Sequence, residues 1–242
     1  LGYTNLGATL MYLGLPYDSD EGRDLAANIT ALMTGIAYNQ SMELAKKLEP
    51  FEYFETNKSS FYEVLNKHFI CANQLIDQSL NIYNINDYVK KIWKTLGETI
   101  TSYFLIDKKS APSFRNAQVT LLAPTGTVSS IMNCITTGIE PEFSLIRYKR
   151  LAGSDGATLK FVNPIVEESL RNLGYSEKEI PELVKELTGD FQEIKKSNFK
   201  SGKHREVFYT AAPTPGTDLC ISYKGHVKMC AAVQPFLSGA IS

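Results

Sequence analysis

Apolar residues recur at helical spacing in three stretches of the first hundred or so residues. The first stretch runs from Asp18 to about Leu48 and begins with a capping box formed by Asp18 and Glu21. The second begins with a Ser60/Glu63 box, and the third starts near Val89. The apolar faces predicted for the three helices comprise Leu25, Ile29, Leu32, Ile36, Leu44 and Leu48; Phe61, Val64, Leu65, Cys71, Ala72 and Leu75; and Val89, Ile92, Leu96, Ile100 and Tyr103. No convincing strand accompanies them.

Strand-like patterns begin after Ala117. The run Gln118 to Ala123 reads as a buried strand that ends at the small-residue turn from Pro124 to Thr127. The stretches Phe143 to Leu151 and Thr158 to Val162 predict a hairpin, because the Gly153-Ser154-Asp155-Gly156 cluster between them supplies turn residues.

Helices return in the last third of the chain. Asn163 caps a helix with Pro164 at its first position and Gly174 after its end, and Ser176 with Glu179 opens another helix that ends near Gly189. A polar, lysine-rich loop is expected over 190–205, followed by a strand over 207–212. A final helix begins near residue 224, and Pro235 ends it. Strands alternating with helices predict an α/β fold.

Composition and charge narrow the class of protein. The chain has 242 residues, 43% of them hydrophobic, which suffices for a substantial core. A formal net charge of −1 gives no overall field that would gather nucleic acid or an anionic membrane, and no apolar run is long enough to span a bilayer. Four cysteines without a Cys-x-x-Cys pair favour a reducing cytoplasm. The chain opens at Leu1 without a leader, so we expect a fragment.

The strongest local candidate for chemistry is the turn Pro124-Thr125-Gly126-Thr127-Val128. Glycine allows close backbone approach, the two threonines offer hydroxyl donors, and a helix starting near Thr127 directs free N–H groups toward the same point. These features suit a phosphate or pyrophosphate. The turn lacks the Gly-Lys-Thr/Ser ending of a Walker A loop, so bound magnesium is not implied. An ordinary strand-to-helix turn remains the alternative.

The other candidates have structural explanations. His226 and Cys230 share a helix face that could hold a metal, but no further ligands complete the set, so packing is favoured. His68 is predicted to be a hydrogen-bonded structural histidine, and His204 to be solvated. We expect Cys134 to be buried rather than reactive. The remaining candidates are expected to be solvated: Glu140 and Glu142 in a turn, and Arg147, Lys149 and Arg150 on an edge strand. Acid–base chemistry is the alternative for the two carboxylates, and contact with an anionic ligand is the alternative for the three cations.

Four blocks of the chain carry a resemblance to a known family. They are residues 1–23 (LGYTNLGATLMYLGLPYDSDEGR), 115–127 (RNAQVTLLAPTGT), 136–143 (TTGIEPEF) and 225–242 (GHVKMCAAVQPFLSGAIS). In this order they resemble the adenosylcobalamin-dependent ribonucleotide reductases. The resemblance spans nearly the whole chain and is weakest over 50–110 and 175–205.

The resemblance implies part of the family's catalytic domain, a ten-stranded α/β barrel, with a mainly helical part over 1–110 and strands alternating with helices over 111–242. It implies that a cysteine thiyl radical made from adenosylcobalamin removes the ribose 3′ hydrogen, and that a cysteine pair supplies electrons. The implied partners are a ribonucleoside di- or triphosphate, a dithiol reductant such as thioredoxin, the rest of the barrel, and a second copy in a homodimer. The substrate phosphates are implied to contact Pro124, Thr125, Gly126, Thr127 and Val128.

Several features depart from the family pattern. The Asn-x-Cys-x-Glu loop of the radical cysteine does not occur in these residues, so no catalytic residue is assigned, and adenosylcobalamin is expected to bind mostly outside them. No role is assigned to Cys71, Cys134, Cys220 or Cys230. Asn133 and Ile135 stand where family members commonly have acidic residues. Two alternatives remain: the large subunit of the iron-dependent class, and a non-catalytic split or decayed module. An isolated fragment is expected to be inactive.

Overall fold

A computed structural model describes residues 1–150, 158–189, 197–213 and 220–242. The predicted hairpin turn at 153–156 lies outside these ranges, as does part of the predicted loop at 190–205. Two short 3₁₀ turns, Ile82–Asn84 and Gln234–Phe236, and one π-helical turn, Ser102–Ile106, accompany the regular elements. These elements are α1 Leu6–Tyr12, α2 Asp20–Leu48, α3 Phe54–Gln78, α4 Ile85–Thr101, α5 Gly126–Ile131, β1 Ile146–Arg150, β2 Thr158–Val162, α6 Ile165–Asn172, α7 Ile180–Leu187, α8 Gly202–Glu206 and α9 Tyr223–Val233.

The first of two compact units consists of Leu1–Gly2, Arg23–Ala123 and Met229–Ser242. Its core is aromatic, and Trp93 on α4 is fully buried and donates its indole N–H to the carbonyl of Ala31 at 3.0 Å. Tyr62 and Tyr103 stack with ring centroids 4.0 Å apart. The three helices predicted in this part of the chain are confirmed as α2, α3 and α4, and residues 1–145 contain no strand.

The buried face of α2 differs from the predicted one. Ile36 and Leu48 are exposed, whereas the fully buried positions include Ala26, Ala31 and Thr34. Small side chains let neighbouring helices approach closely, and a Cβ added at Gly35 would lie only 2.6 Å from Ile92. Close approach of the backbone, rather than the size of the apolar side chain, therefore decides which face of α2 is inside.

Two predicted helix starts are wrong. Ser19, not Asp18, caps α2, since its Oγ accepts the Gly22 N–H at 2.9 Å. Helix α3 begins at Phe54, so Ser60 lies inside it and donates to the carbonyl of Asn57. In both places a short polar residue resembles a cap in the sequence, but the sequence pattern alone does not fix the first turn of the helix.

The predicted strand over 118–123 is reduced to an extended segment. The Leu121 N–H donates to the carbonyl of Leu1, and the Leu122 N–H donates to that of Ala240. Only one isolated parallel bridge forms, between Leu122 and Ile241. Parallel pairing depends on segments far apart in the chain, so the local strand pattern does not by itself produce a sheet.

The second unit consists of Tyr3–Gly22 and the described residues of Pro124–Lys228. Its core gathers α1, α6 and α7 around fully buried Val166, Leu170 and Leu183. The predicted hairpin is confirmed, because β1 and β2 pair antiparallel from Ile146 with Val162 to Arg150 with Thr158. This is the only sheet among the described residues.

The residues predicted to cap the next two helices make local hydrogen bonds, but both helices begin later than predicted. Helix α6 begins at Ile165, after Pro164, and α7 begins at Ile180, after Glu179. Asn163 Oδ1 accepts the Ile165 N–H at 3.1 Å, and Gly174 adopts a left-handed φ of 81° after α6. Glu179 Oε2 accepts from both the N–H and the hydroxyl of Ser176 at 2.7 Å, but the reciprocal bond of a capping box is missing, because the Glu179 N–H donates to the Ser176 carbonyl. The local contacts were predictable because their partners lie within three residues, whereas the first helical residue was not.

Two further predictions in this unit are wrong. Residues 202–206 form α8 instead of a loop, with the Oγ of Ser201 accepting the His204 N–H. The predicted strand over 207–212 makes only an isolated parallel bridge from Thr210 to Cys220, because Val207 and Phe208 turn into the core. The final helix α9 ends before Pro235, as predicted.

Candidate functional site

The turn from Pro124 to Val128 lies in the second unit, at the N-terminus of α5. Thr125 precedes the helix with φ 57° and ψ 28°, in the left-handed region. A β-branched residue rarely adopts this conformation, because its Cβ crowds the backbone. The surroundings must therefore compensate for the strain.

The first amides of α5 are open. Among the described residues, the N–H groups of Gly126, Thr127 and Val128 have no hydrogen-bond partner, and the first engaged amide is that of Ser129, which donates to the carbonyl of Thr125 at 2.8 Å. All three residues are exposed, and a Cβ added at Gly126 would meet no atom within 4 Å. Three unpaired donors beside the positive end of a helix form a favourable environment for an anion.

The hydroxyl of Thr125 points into the protein. Its Oγ1 accepts the Gly138 N–H at 2.8 Å and lies 2.7 Å from the Pro124 carbonyl, 3.1 Å from Thr4 Oγ1 and 3.1 Å from Ser129 Oγ. A hydroxyl has one proton and two lone pairs, which these partners occupy. We expected both threonine hydroxyls of the turn to face a ligand, but the Thr125 hydroxyl faces inward. Of the two, only the exposed Thr127 has a hydroxyl without a hydrogen-bond partner among the described residues.

A second loop supports the turn from behind. Asn5 Oδ1 accepts the N–H groups of Ile135 and Thr136 at 2.9 and 3.0 Å. The Gly138 N–H reaches both Thr4 and Thr125. Sequence reasoning missed Thr4, Asn5 and Ser129. Only Ser129 was accessible to it, because a residue four positions after Thr125 shares its side of the helix.

A cavity of about 400 Å³ lies in the second unit, and three of the residues that line it come directly after α5 in the chain. It is lined by Asn133, Cys134, Ile135, Arg147, Phe161, Val162, Asn163 and Pro164. Two of these lining residues contact Glu142, which is only 4% exposed and accepts from Asn163 Nδ2 at 2.7 Å and from Arg147 Nη2 at 3.2 Å. The expectation that Glu142 is a solvated turn residue is therefore wrong, because its buried carboxylate accepts from the buried Asn163 amide and pairs with the exposed Arg147. Cys134 is half-buried on the wall of this cavity.

The histidines serve packing roles. His68 is 7% exposed, and its Nδ1 donates to the carbonyl of Pro235 at 2.7 Å, which confirms the structural role. Burial lowers the pKa of His68 below its ordinary value. His204 is half-buried and hydrogen-bonds Tyr175 at 3.0 Å, so the prediction that it is solvated is wrong.

No group of three or more metal-ligating side chains occurs in the described ranges, so His226 and Cys230 are not part of such a group there. All four cysteines are free and half-buried. Burial raises the pKa of the Cys230 thiol. On β1, Arg147 and Arg150 are exposed, as predicted for a solvated strand. Within the described part of the chain, none of the helices combines the length and the apolar character that crossing a membrane requires.

Comparison with known proteins identifies relatives of the whole chain. The family model described as ribonucleotide reductase, barrel domain, matches residues 1–242. A vitamin B12-dependent ribonucleotide reductase of Streptomyces coelicolor is 38% identical over 242 residues, which is 100% of this chain and 23% of that protein. A reductase of the same description from Rhodopirellula baltica is also 38% identical, with 22% of its length covered. A vitamin B12-dependent ribonucleoside-diphosphate reductase of Mycobacterium tuberculosis is 26% identical, with 26% covered. The chain thus spans about a quarter of the length of these relatives.

Proposed function

Because this chain belongs to the ribonucleotide reductase barrel-domain family, we propose that residues 124–128 hold the phosphates of a ribonucleotide during its reduction to a 2′-deoxyribonucleotide. The observation that carries this proposal is the set of three exposed amides at Gly126, Thr127 and Val128, which have no hydrogen-bond partner in the part of the chain that the structure describes. The substrate is a ribonucleoside di- or triphosphate. The relatives' names specify vitamin B12, which favours this reading over the iron-dependent class.

The geometry of the turn suits this role. Backbone N–H groups bonded to a phosphate make charge-assisted hydrogen bonds, which are shorter and stronger than neutral ones. The Thr127 hydroxyl adds one side-chain donor, whereas Thr125 contributes through its backbone conformation. Pro124 begins the turn, since its fixed φ limits the conformations available to the chain there.

Phosphate binding at this turn would orient the ribose. In the reaction of this family a cysteine thiyl radical removes the 3′ hydrogen, the 2′ hydroxyl leaves as water, and a dithiol is oxidised to a disulfide. Hydrogen abstraction depends strongly on the distance between the reacting atoms, so an anchored phosphate contributes by positioning the sugar. The radical cysteine and the cysteine pair are assigned to protein outside residues 1–242, and this segment alone would be inactive.

Adenosylcobalamin is likewise assigned mostly outside these residues. A histidine that faces a corrin cobalt needs an available ring nitrogen beside open space. His68 is buried, and His204 is bonded to Tyr175. His226 packs against Tyr17 with ring centroids 6.0 Å apart. Burial excludes His68 from that role, and we propose that the cofactor binds mainly through protein outside this segment.

The remaining assignments follow the family. We propose that residues 1–242 form one part of a ten-stranded α/β barrel, and that the isolated bridges at Leu122 and Thr210 mark segments that pair fully when neighbouring strands are present. A dithiol reductant such as thioredoxin, a homodimeric assembly and a cytoplasmic location belong to the same proposal.

Isothermal titration calorimetry of a ribonucleoside diphosphate tests the phosphate assignment, using the polypeptide expressed from its own complete reading frame. Thr127→Val removes one donor, and we expect it to weaken binding by about 1–3 kcal/mol. Thr56→Val, an exposed threonine on α3, is the matched control and should bind like the wild type. Equal affinity of the Thr127 variant and the wild type would remove the hydroxyl contact from the proposal. No binding by the wild type would remove the whole assignment.

A further inference from the structure

We propose that Ser129 and Asn5 are positioning residues that hold the turn at residues 125–128 in the conformation that exposes its three amides. This inference rests on the proposed phosphate site, and it extends that site to side chains that do not touch the ligand. Its starting point is Thr125, whose left-handed backbone directs the following amides outward and is unfavourable for a β-branched residue.

Ser129 holds Thr125 from inside α5. Its side chain is 2% exposed, and its Oγ lies 3.1 Å from Thr125 Oγ1 and 2.5 Å from Thr4 Oγ1. Its own N–H donates to the Thr125 carbonyl at 2.8 Å. Backbone and side chain of one residue thus fix both ends of Thr125, the carbonyl and the hydroxyl.

Asn5 acts on the other side of the turn. Through its contacts with the Ile135 and Thr136 amides, it fixes the loop that carries Gly138, and the Gly138 N–H completes the shell around Thr125 Oγ1. The Leu6 N–H donates to the Gly138 carbonyl at 3.4 Å, which ties the same loop to the start of α1. Asn5 itself has a φ of 72°, which asparagine tolerates better than most residues.

The hydroxyl groups of Thr4, Thr125 and Ser129 form a hydrogen-bonded cluster that affects the exposed amides through the backbone of Thr125. The hydrogen bonds of Thr125 Oγ1 compensate for its backbone strain, so removing a partner favours relaxation of Thr125 toward an ordinary conformation. Relaxation would change the directions of the amides at 126–128, which cooperate only while they converge on one point. The expected loss is therefore specific to the phosphate part of a ligand.

Adjacent serines offer a matched test. Ser130 is exposed and donates to the Gly126 carbonyl, away from the cluster. Using the polypeptide expressed from its complete reading frame, we would titrate inorganic pyrophosphate, cytidine diphosphate and cytidine by calorimetry. We expect Ser129→Ala to bind the two phosphate ligands about tenfold more weakly while cytidine affinity stays within about twofold, and Ser130→Ala to bind all three like the wild type.

Asn5 provides a conservative rescue. Asn5→Asp keeps the side-chain acceptor and should retain phosphate affinity within about threefold, whereas Asn5→Ala should resemble Ser129→Ala. If Ser129→Ala does not fold, Thr4→Val tests the same hydroxyl cluster, with Thr56→Val, an exposed threonine on α3, as control.

The outcomes separate the two proposals. Failure of the wild type to bind pyrophosphate and cytidine diphosphate overturns the phosphate site itself. Normal binding by the wild type, with Ser129→Ala and Ser130→Ala indistinguishable, overturns the positioning role and leaves the phosphate site standing. A loss of cytidine affinity as large as the loss of cytidine diphosphate affinity would indicate general damage to the fold and would also overturn the positioning role.

Discussion

The variant Gly126→Ala tests whether Gly126 is needed for ligand binding or for packing of the folded protein. Gly126 opens α5 without a left-handed φ, and the added methyl group would meet no atom within 4 Å. The folded protein therefore accommodates alanine. Because alanine restricts the unfolded chain more than glycine does, we expect the free energy of unfolding to stay equal or rise by about 0.4–1 kcal/mol.

We expect the affinity for a phosphate ligand to fall in the same variant. A phosphate bound to the amides of 126–128 approaches to about 2.7–2.9 Å, and the methyl group would project from the same exposed turn. Loss of one charge-assisted hydrogen bond costs about 1.5–3 kcal/mol, which is about 10- to 150-fold in affinity. Calorimetry with pyrophosphate and urea unfolding, performed on the same preparations, measure both quantities.

Gly7 provides the contrasting control in the same unit. A Cβ there would lie 2.5 Å from the Glu140 carbonyl oxygen and 2.6 Å from Pro141 Cα, both backbone atoms that cannot yield cheaply. Gly7→Ala should therefore destabilise the fold by about 1–3 kcal/mol or more. Gly126→Ala with unchanged pyrophosphate affinity, or with a destabilisation as large as that of Gly7→Ala, would refute the reasoning.

Three further predictions concern the buried polar groups. Burial lowers the pKa of His68 from its ordinary 6.5, so the unfolded chain binds this proton more tightly than the folded protein does. The contribution of neutral His68 to the free energy of unfolding should therefore be fully present above pH 6.5. As the pH falls below 6.5, it should decrease by up to about 1.4 kcal/mol per pH unit. Urea unfolding at several pH values should show a flatter dependence for His68→Asn, and an unchanged slope would contradict the assignment. Trp93→Phe removes the buried indole N–H bond to the Ala31 carbonyl, which keeps its partner within α2, and leaves a small cavity; it should cost about 1–3 kcal/mol in chemical denaturation, whereas a neutral effect would argue against tight packing around Trp93. Glu142→Leu leaves the buried Asn163 amide without its acceptor and should cost about 1–3 kcal/mol by the same assay, with the exposed Glu140→Leu as a control near zero.

The candidate site was only partly predictable. Gly126 and the helix start were visible because turn chemistry and helix caps depend on residues within about four positions. The inward orientation of the Thr125 hydroxyl was not, since its partners Thr4 and Gly138 are 121 and 13 residues away. A hydroxyl near a turn looks the same in sequence whether it faces a ligand or the protein.

The amino-acid sequence by itself determined the existence of α2, α3, α4, α6, α7 and α9 and of the β1–β2 hairpin, because these elements satisfy their own hydrogen bonds locally. Tertiary structure decided what depends on distant partners: the small-residue face of α2 that is buried, the exposure of the first α5 amides, and the reduction of two predicted strands to isolated bridges at Leu122 and Thr210. The physical reason is that helical periodicity acts over one or two turns, whereas strand pairing and side-chain direction are settled only when residues a hundred or more positions apart meet.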